Sequence, residues 1–203
     1  MTKDFIYLAS ASPRRGELLS QIGVPFRVQP ADILEQALDA EQPADYVERL
    51  ALAKADTVWN QVLDTDAAAP VLAADTIVVV DDTVFGKPTD RENAMKMLER
   101  LSGRSHSVLT AVAIRFEQQR ECRVTISEVR FRATTEQERA AYCGTQEPLD
   151  KAGGYGIQGF GAVFIDRLFG SYSAVMGLPL CETVALLKPF ELPRWLHADA
   201  IAR

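Results

Sequence analysis

The stretch "SVLTAVAIRFEQQRECRVTISEVRFRA", residues 107–133, decides the fold class. It holds two long strand-like patterns, 107–116 and 121–133, joined only by the polar "EQQR". A parallel pair needs a crossover of a dozen or more residues, so a link this short makes the pair antiparallel. Upstream the order is different. A short apolar run at 5–9 leads into a helix pattern at 13–22 that stops at Gly23, then a strand at 26–29. A long helix at 43–63 follows, opened by Pro43, and then the β-branched run 71–80, interrupted by "AAD" at 73–75. Helices are expected at 90–101, 136–143 and near 180–187, with a strand near 162–168. Alternating strands and helices imply parallel pairing, and the central pair is antiparallel. The expected architecture is therefore α/β with a mixed, twisted sheet that includes a long antiparallel portion. One domain across residues 1–203 is expected, with 189–203 a weakly determined tail.

Composition narrows the function. The chain has 203 residues, 47% of them apolar, and a formal net charge of -6. An acidic surplus argues against a nucleic-acid binder but leaves room for a local basic cluster facing a small phosphorylated ligand. Cys122, Cys143 and Cys181 are far apart and odd in number, so neither a disulfide framework nor a thiolate metal site is expected. No secretory leader and no run of about 18 apolar residues is present, so the expected setting is cytoplasmic, away from membranes. A homodimer is an assembly that the sequence leaves open.

Chemistry first suggests itself in "LASASPRRGELL", residues 8–19. Ser12 is a suitable N-cap and Pro13 a suitable first helical residue. Arg14 and Arg15 then stand where the helix dipole disfavours cations by about 0.3–1 kcal/mol. Ser10, Ser12, both guanidiniums and the helix amides would together cradle a phosphate; the plainer alternative is that both arginines face solvent. Asp75 interrupts an apolar strand, where an unpaired carboxylate is costly, so it should be paired, metal-bound or turned to a ligand rather than capping a turn. Lys87 follows in the turn "FGKP" and either joins the same site or is a solvated loop lysine. Leu50, Lys54 and Val58 share a helical stripe, which makes Lys54 either a snorkelling side chain or a phosphate ligand. Glu35 by itself is an ordinary loop carboxylate, of interest only if it meets Asp75 around a metal. With two histidines in the chain and no cysteine cluster, a metal would be held mainly by oxygens, which favours Mg²⁺ or Mn²⁺.

Two familiar motifs are excluded. "GYGIQG", residues 154–159, matches G-x-G-x-x-G, but no strand precedes it and a strand-like run rather than a helix follows. What remains is a loop in which Gln158 can approach a ligand's polar edge, or simply a tight turn. A Ser-His-Asp triad is disfavoured because no G-x-S-x-G exists and His106, between a helix end and a strand, is expected to be hydrogen-bonded or exposed.

The segments "LASASPRRGELL", "YVERLALAKA", "AADTIV", "GKP", "LSGRSH", "DKAGGYGIQG" and "GLPLCET" stand in the order found in the Maf family of nucleotide pyrophosphatases. The chain resembles that family from about residue 5 to about residue 187. The resemblance implies a fold like that of the inosine triphosphate pyrophosphatases, with two lobes around a deep cleft. It implies hydrolysis of a nucleoside triphosphate to the monophosphate and pyrophosphate, with a divalent cation. Asp75 matches the family's proton acceptor, and Glu35, Lys54 and Lys87 match positions used for metal and phosphate. Arg14, Thr76 and Gln158 match positions tied to base selection, and all three are similar to the dTTP/UTP branch. The departures are Ala11, where glycine is frequent, and Leu34, where an acid is frequent. Two other roles fit the same resemblance: removal of modified pyrimidine nucleotides, and nucleotide-binding regulation of septum formation.

Overall fold

A computed structural model describes residues 3–65, 68–193 and 196. A seven-stranded sheet runs in the order β2-β1-β3-β5-β6-β7, with β4 pairing on β3. The strands are β1 (Ile6–Leu8), β2 (Phe26–Val28), β3 (Val71–Val80), β4 (Thr83–Phe85), β5 (Ser105–Phe116), β6 (Gln119–Phe131) and β7 (Ile165–Phe169). β1 pairs in parallel with β2 and β3, whereas β3–β4 and β6–β7 are antiparallel. β5 and β6 are neighbours joined by two residues, 117 and 118. The mixed α/β architecture expected from residues 107–133 is the one observed.

The helices are α1 (Pro13–Gln21), α2 (Pro43–Val62), α3 (Arg91–Leu101), α4 (Glu136–Cys143), α5 (Tyr172–Val175) and α6 (Leu180–Leu187). None among the described residues is long and apolar enough to cross a membrane. Helix starts are specified locally in different ways. Asp90 caps α3 by accepting from the Asn93 amide at 2.7 Å, and Thr135 and Glu138 form a reciprocal capping box on α4. Ser12 occupies the N-cap position of α1 with extended backbone, but its side chain makes no capping hydrogen bond, contrary to the sequence expectation.

The chain divides into two compact units. The first comprises residues 1–75, 111–124 and 177–203, and the second residues 76–110 and 125–176. In the first unit α2 buries Val47, Leu50, Ala51, Ala55 and Val58, and Trp59 packs edge-on against Phe116 at 5.3 Å. In the second, Val78, Leu98, Leu101, Val129, Phe131, Tyr155 and Phe164 form the core.

β3 runs from Val71 to Val80 as expected, with Ala73 and Ala74 fully buried and Asp75 paired at mid-strand. Two expectations need correction. The strand expected near 162–168 begins only at Ile165. Residues Phe160–Phe164 form a 3₁₀ turn, with the amides of Phe160 and Gly161 drawn onto Glu147. His106 lies within β5 rather than ahead of it; it is buried and hydrogen-bonded to Tyr155, the first of the two expected alternatives. Of the tail expected at 189–203, residues 194–195 and 197–203 lie outside the described residues.

Candidate active site

The first unit brings four of the expected residues, Ser10, Arg15, Lys54 and Asp75, into buried or partly buried positions and joins Glu35 to them. β3 carries Asp75 inward and α2 carries Lys54 toward it. The stem of Lys54 lies along the helix's apolar stripe, and its Nζ donates to Asp75 Oδ1 at 2.6 Å. The same ammonium stands 2.6 Å from Glu35 Oε1. Both readings of the stripe therefore hold at once: the methylenes are covered and the charge is delivered to carboxylates. Lys54 and Asp75 are both buried, while the Glu35 side chain is half exposed. A buried ion pair is costly to desolvate and is weak evidence for stability, so this arrangement points to chemistry more than to folding.

Burial is the largest influence on Asp75 and pushes its carboxyl above the ordinary carboxylate range. The charge and hydrogen bond of Lys54, and then the charge of Arg15, pull it back down, while Glu35 adds to the rise. Tyr46, on the first turns of α2, donates to the Glu35 carbonyl at 3.3 Å. Its phenol is pushed up by burial and by the charges of Asp75 and Glu35.

Arg15 is held by two neutral oxygens. Its Nε donates to the Gly177 carbonyl at 2.8 Å and its Nη1 to Ser10 Oγ at 3.0 Å. Ser10 Oγ also accepts from the Ser12 amide at 3.2 Å. Hydrogen bonds from a charged donor are worth about 1.5–3 kcal/mol, more than the roughly 0.3–1 kcal/mol of dipole conflict at a helix start. This explains a cation at that position without any ligand. Burial lowers the pKa of Arg15, opposed by the charges of Asp75 and Glu35, which places all three groups in one electrostatic neighbourhood. Arg14 is partly exposed.

One anchoring pair escaped the sequence reading. Arg49 grips the Glu41 carboxylate with Nε at 2.6 Å and Nη2 at 2.7 Å, and its Nη2 also reaches the Gln36 carbonyl at 3.0 Å. Glu41 accepts from the Leu38 amide at 3.0 Å. The Arg49 hydrogen bond holds the Glu41 carboxyl down at about 2. Together these bonds tie down the irregular segment that carries Glu35. A sequence signal existed in the acid just before Pro43 and the arginine two turns into the helix, but the loop carbonyl could not be foreseen.

Thr76, Lys87 and Gln158 belong to the second unit. Thr76 is partly buried, and its hydroxyl lies 3.1 Å from that of Thr110, which donates to the Ala174 carbonyl at 2.7 Å. Lys87 is exposed in its turn, and Gln158 is exposed on the glycine-rich loop. The two turns are joined by a hydrogen bond from the Gly153 amide to the Gly86 carbonyl at 3.0 Å. Gly153 has φ +70°, and a Cβ there would meet the side chain of Val78 at 2.9 Å. His106 donates to or accepts from the Tyr155 hydroxyl at 2.7 Å, among the rings of Phe131 and Tyr155. Desolvation pushes its pKa down to about 4, so it is neutral at physiological pH.

Among the described residues no group of three or more His, Cys, Asp and Glu side chains is placed to hold a metal. Glu35 and Asp75, meeting on Lys54, offer two carboxylates.

Fold and site define a mixed α/β protein with a buried lysine shared by two carboxylates beside an arginine-bearing helix start, equipment suited to a phosphorylated ligand. The chain belongs to the Maf family: the family model described as Maf-like protein matches residues 5–190. It is 50% identical over 190 residues to a dTTP/UTP pyrophosphatase of Saccharophagus degradans, covering 94% of this chain and 90% of that one. Proteins of the same name from Hahella chejuensis and Pasteurella multocida are 48% and 46% identical, each over 94% of this chain and over 94% and 98% of their own lengths.

Proposed function

We propose that this protein hydrolyses dTTP and UTP to the nucleoside monophosphate and pyrophosphate. The observation that carries the reading is the buried Lys54–Asp75 pair with Glu35 on the same ammonium, in a chain about half identical to proteins of that name. Water attacks the α-phosphorus as Asp75 takes its proton. A new P–O bond forms, the α–β anhydride breaks, and the electron pair leaves with pyrophosphate. The raised pKa of Asp75 makes it a better base than an exposed aspartate. Lys54, Arg15 and Lys87 neutralise charge that builds on the phosphates, and Ser10 orients Arg15. Arg14, Thr76 and Gln158 select the base.

Glu35 and Asp75 suit a divalent ion, Mg²⁺ or Mn²⁺, because such ions are held by one or two carboxylates together with substrate phosphates. When bound, the ion supplies Lewis acidity toward the phosphate oxygens. The test is pyrophosphate release across nucleoside triphosphates with either metal, including 5-substituted pyrimidines and inosine triphosphate. The expected result is preference for dTTP and UTP. Comparable turnover of GTP would overturn the base assignment, and binding without pyrophosphate release would overturn catalysis.

A further inference from the structure

The motif "GYGIQG" has glycines that the dinucleotide reading does not explain. Gly156 and Gly159 of the motif, and Gly161 two residues beyond it, lie outside the left-handed region, so backbone conformation does not require them. Space does. A Cβ on Gly159 would overlap the Glu147 carboxylate, one on Gly156 would come within 2.6 Å of Lys151 Cε, and one on Gly161 within 2.8 Å of Tyr142 Oη. The loop is pressed against Glu147, Lys151 and Tyr142 on every side that a methyl group would occupy.

Glu147 sits in the 3₁₀ turn Glu147–Asp150, entered through Gln146 at φ 63°. Its Oε2 accepts from the Phe160 amide at 2.8 Å. Its Oε1 accepts from the Gly161 amide at 3.2 Å and from the Tyr142 hydroxyl at 3.0 Å. That hydroxyl in turn accepts from the Gly156 amide at 3.2 Å. Tyr142 is itself fixed, buried on α4 and edge-on to Phe164 at 5.2 Å. Amides on both sides of Gln158, at residues 156, 160 and 161, thus end directly or through one phenol on a single carboxylate. A carboxylate is an acceptor only, so it can face all these donors at once; the amide of glutamine would set N–H against one of them.

We propose that Glu147 is a positioning residue for base selection: through these bonds it holds the loop so that Gln158, itself exposed, is presented to the nucleobase in one orientation. This rests on the reading of Gln158 as a base contact. Misplacing a specificity contact by a fraction of an ångström costs selectivity before it costs fold.

Four variants test it: Glu147→Gln, Glu147→Ala, Gly159→Ala and the Glu147→Ala/Gly159→Ala double variant, with Gln158→Ala as a reference. In Glu147→Gln the dTTP-to-dCTP ratio of kcat/KM should fall about tenfold. Hydrogen exchange at amides 156, 160 and 161 should quicken, and the pH profile of turnover should not move. Gly159→Ala should cost about tenfold in dTTP kcat/KM when Glu147 is present. In the Glu147→Ala background the same change should cost less than about twofold, because the clash is with that carboxylate. Equal cost in both backgrounds, or unchanged exchange in Glu147→Gln, overturns the clamp while leaving the reading of Gln158 intact. Unchanged selectivity in Gln158→Ala overturns the base-selecting role even if the clamp's exchange signature is present.

Discussion

Asp75 in the first unit and His106 in the second are buried almost equally, at 6% and 4% exposure, and both lie on long strands. Their surroundings are opposite. Asp75 is given a counter-charge at 2.6 Å and a second carboxylate on the same ammonium. His106 is given a phenol and two ring edges, with its Nδ1 unpartnered among the described residues. Burial is common to both; the charge of the partner separates the proposed catalytic base from a piece of core. The carboxylate keeps a cation beside it, and the imidazole is held neutral.

The largest test of this contrast is Asp75→Asn. It should lower kcat on dTTP by about 10²–10⁴-fold with the fold retained, measured by pyrophosphate release and circular dichroism. Near-normal turnover would remove the distinction between the two residues. Lys54→Met should cost about 10²-fold and move the acid limb of the pH–rate profile upward, because the group that lowers the Asp75 pKa is gone. An acid limb that stays put would show that Asp75 does not set it.

His106 should behave in reverse. Its pKa lies at about 4 in the folded chain against 6.5 for the ordinary imidazole, so the unfolded chain binds the extra proton first. Stability is complete above about pH 6.5 and is lost as pH falls toward 4, by on the order of 2 kcal/mol at pH 5. Replacing it with Gln should flatten that slope in urea denaturation between pH 7 and 5, with turnover at pH 7.5 changed less than about threefold. The smallest effect compares helix starts in the two units. Asp90→Ala should cost about 1 kcal/mol, and Ser12→Ala less than about 0.5, because only Asp90 makes the capping bond. Equal losses in thermal unfolding would mean that Ser12 caps after all.

Much of this was legible in the sequence, for local reasons. Helical spacing put Lys54 on the apolar stripe of α2, strand patterning put Asp75 inside β3, and a short polar link made β5 and β6 antiparallel. The contacts that complete the site were not legible, because they are made to backbone atoms or across long separations. Nothing in "SPRR" announces that Arg15 donates to the carbonyl of Gly177, and nothing near Glu35 announces the Arg49–Glu41 clamp. The α1 start shows the limit of a local rule. Ser12 has the right residue type and the right backbone, yet the hydroxyl that matters is that of Ser10, which holds both the Ser12 amide and Arg15. Glu35 and Lys87 became site candidates mainly through family resemblance, since an isolated loop residue carries no periodic signal, and so did Thr76, because a threonine inside β3 is an ordinary strand residue.

The bond from Arg15 to Gly177 also has a meaning in time. The two residues are 162 positions apart. During synthesis the helix that carries the arginine emerges first, and its partner carbonyl only after most of the chain has been made. Until then the guanidinium has its local bond to Ser10 and lacks the one to Gly177. A nascent chain stalled before residue 177 would carry Lys54, Asp75 and Glu35 with Arg15 held on the Ser10 side only, so the Gly177 carbonyl is the last-made of the contacts described around this centre.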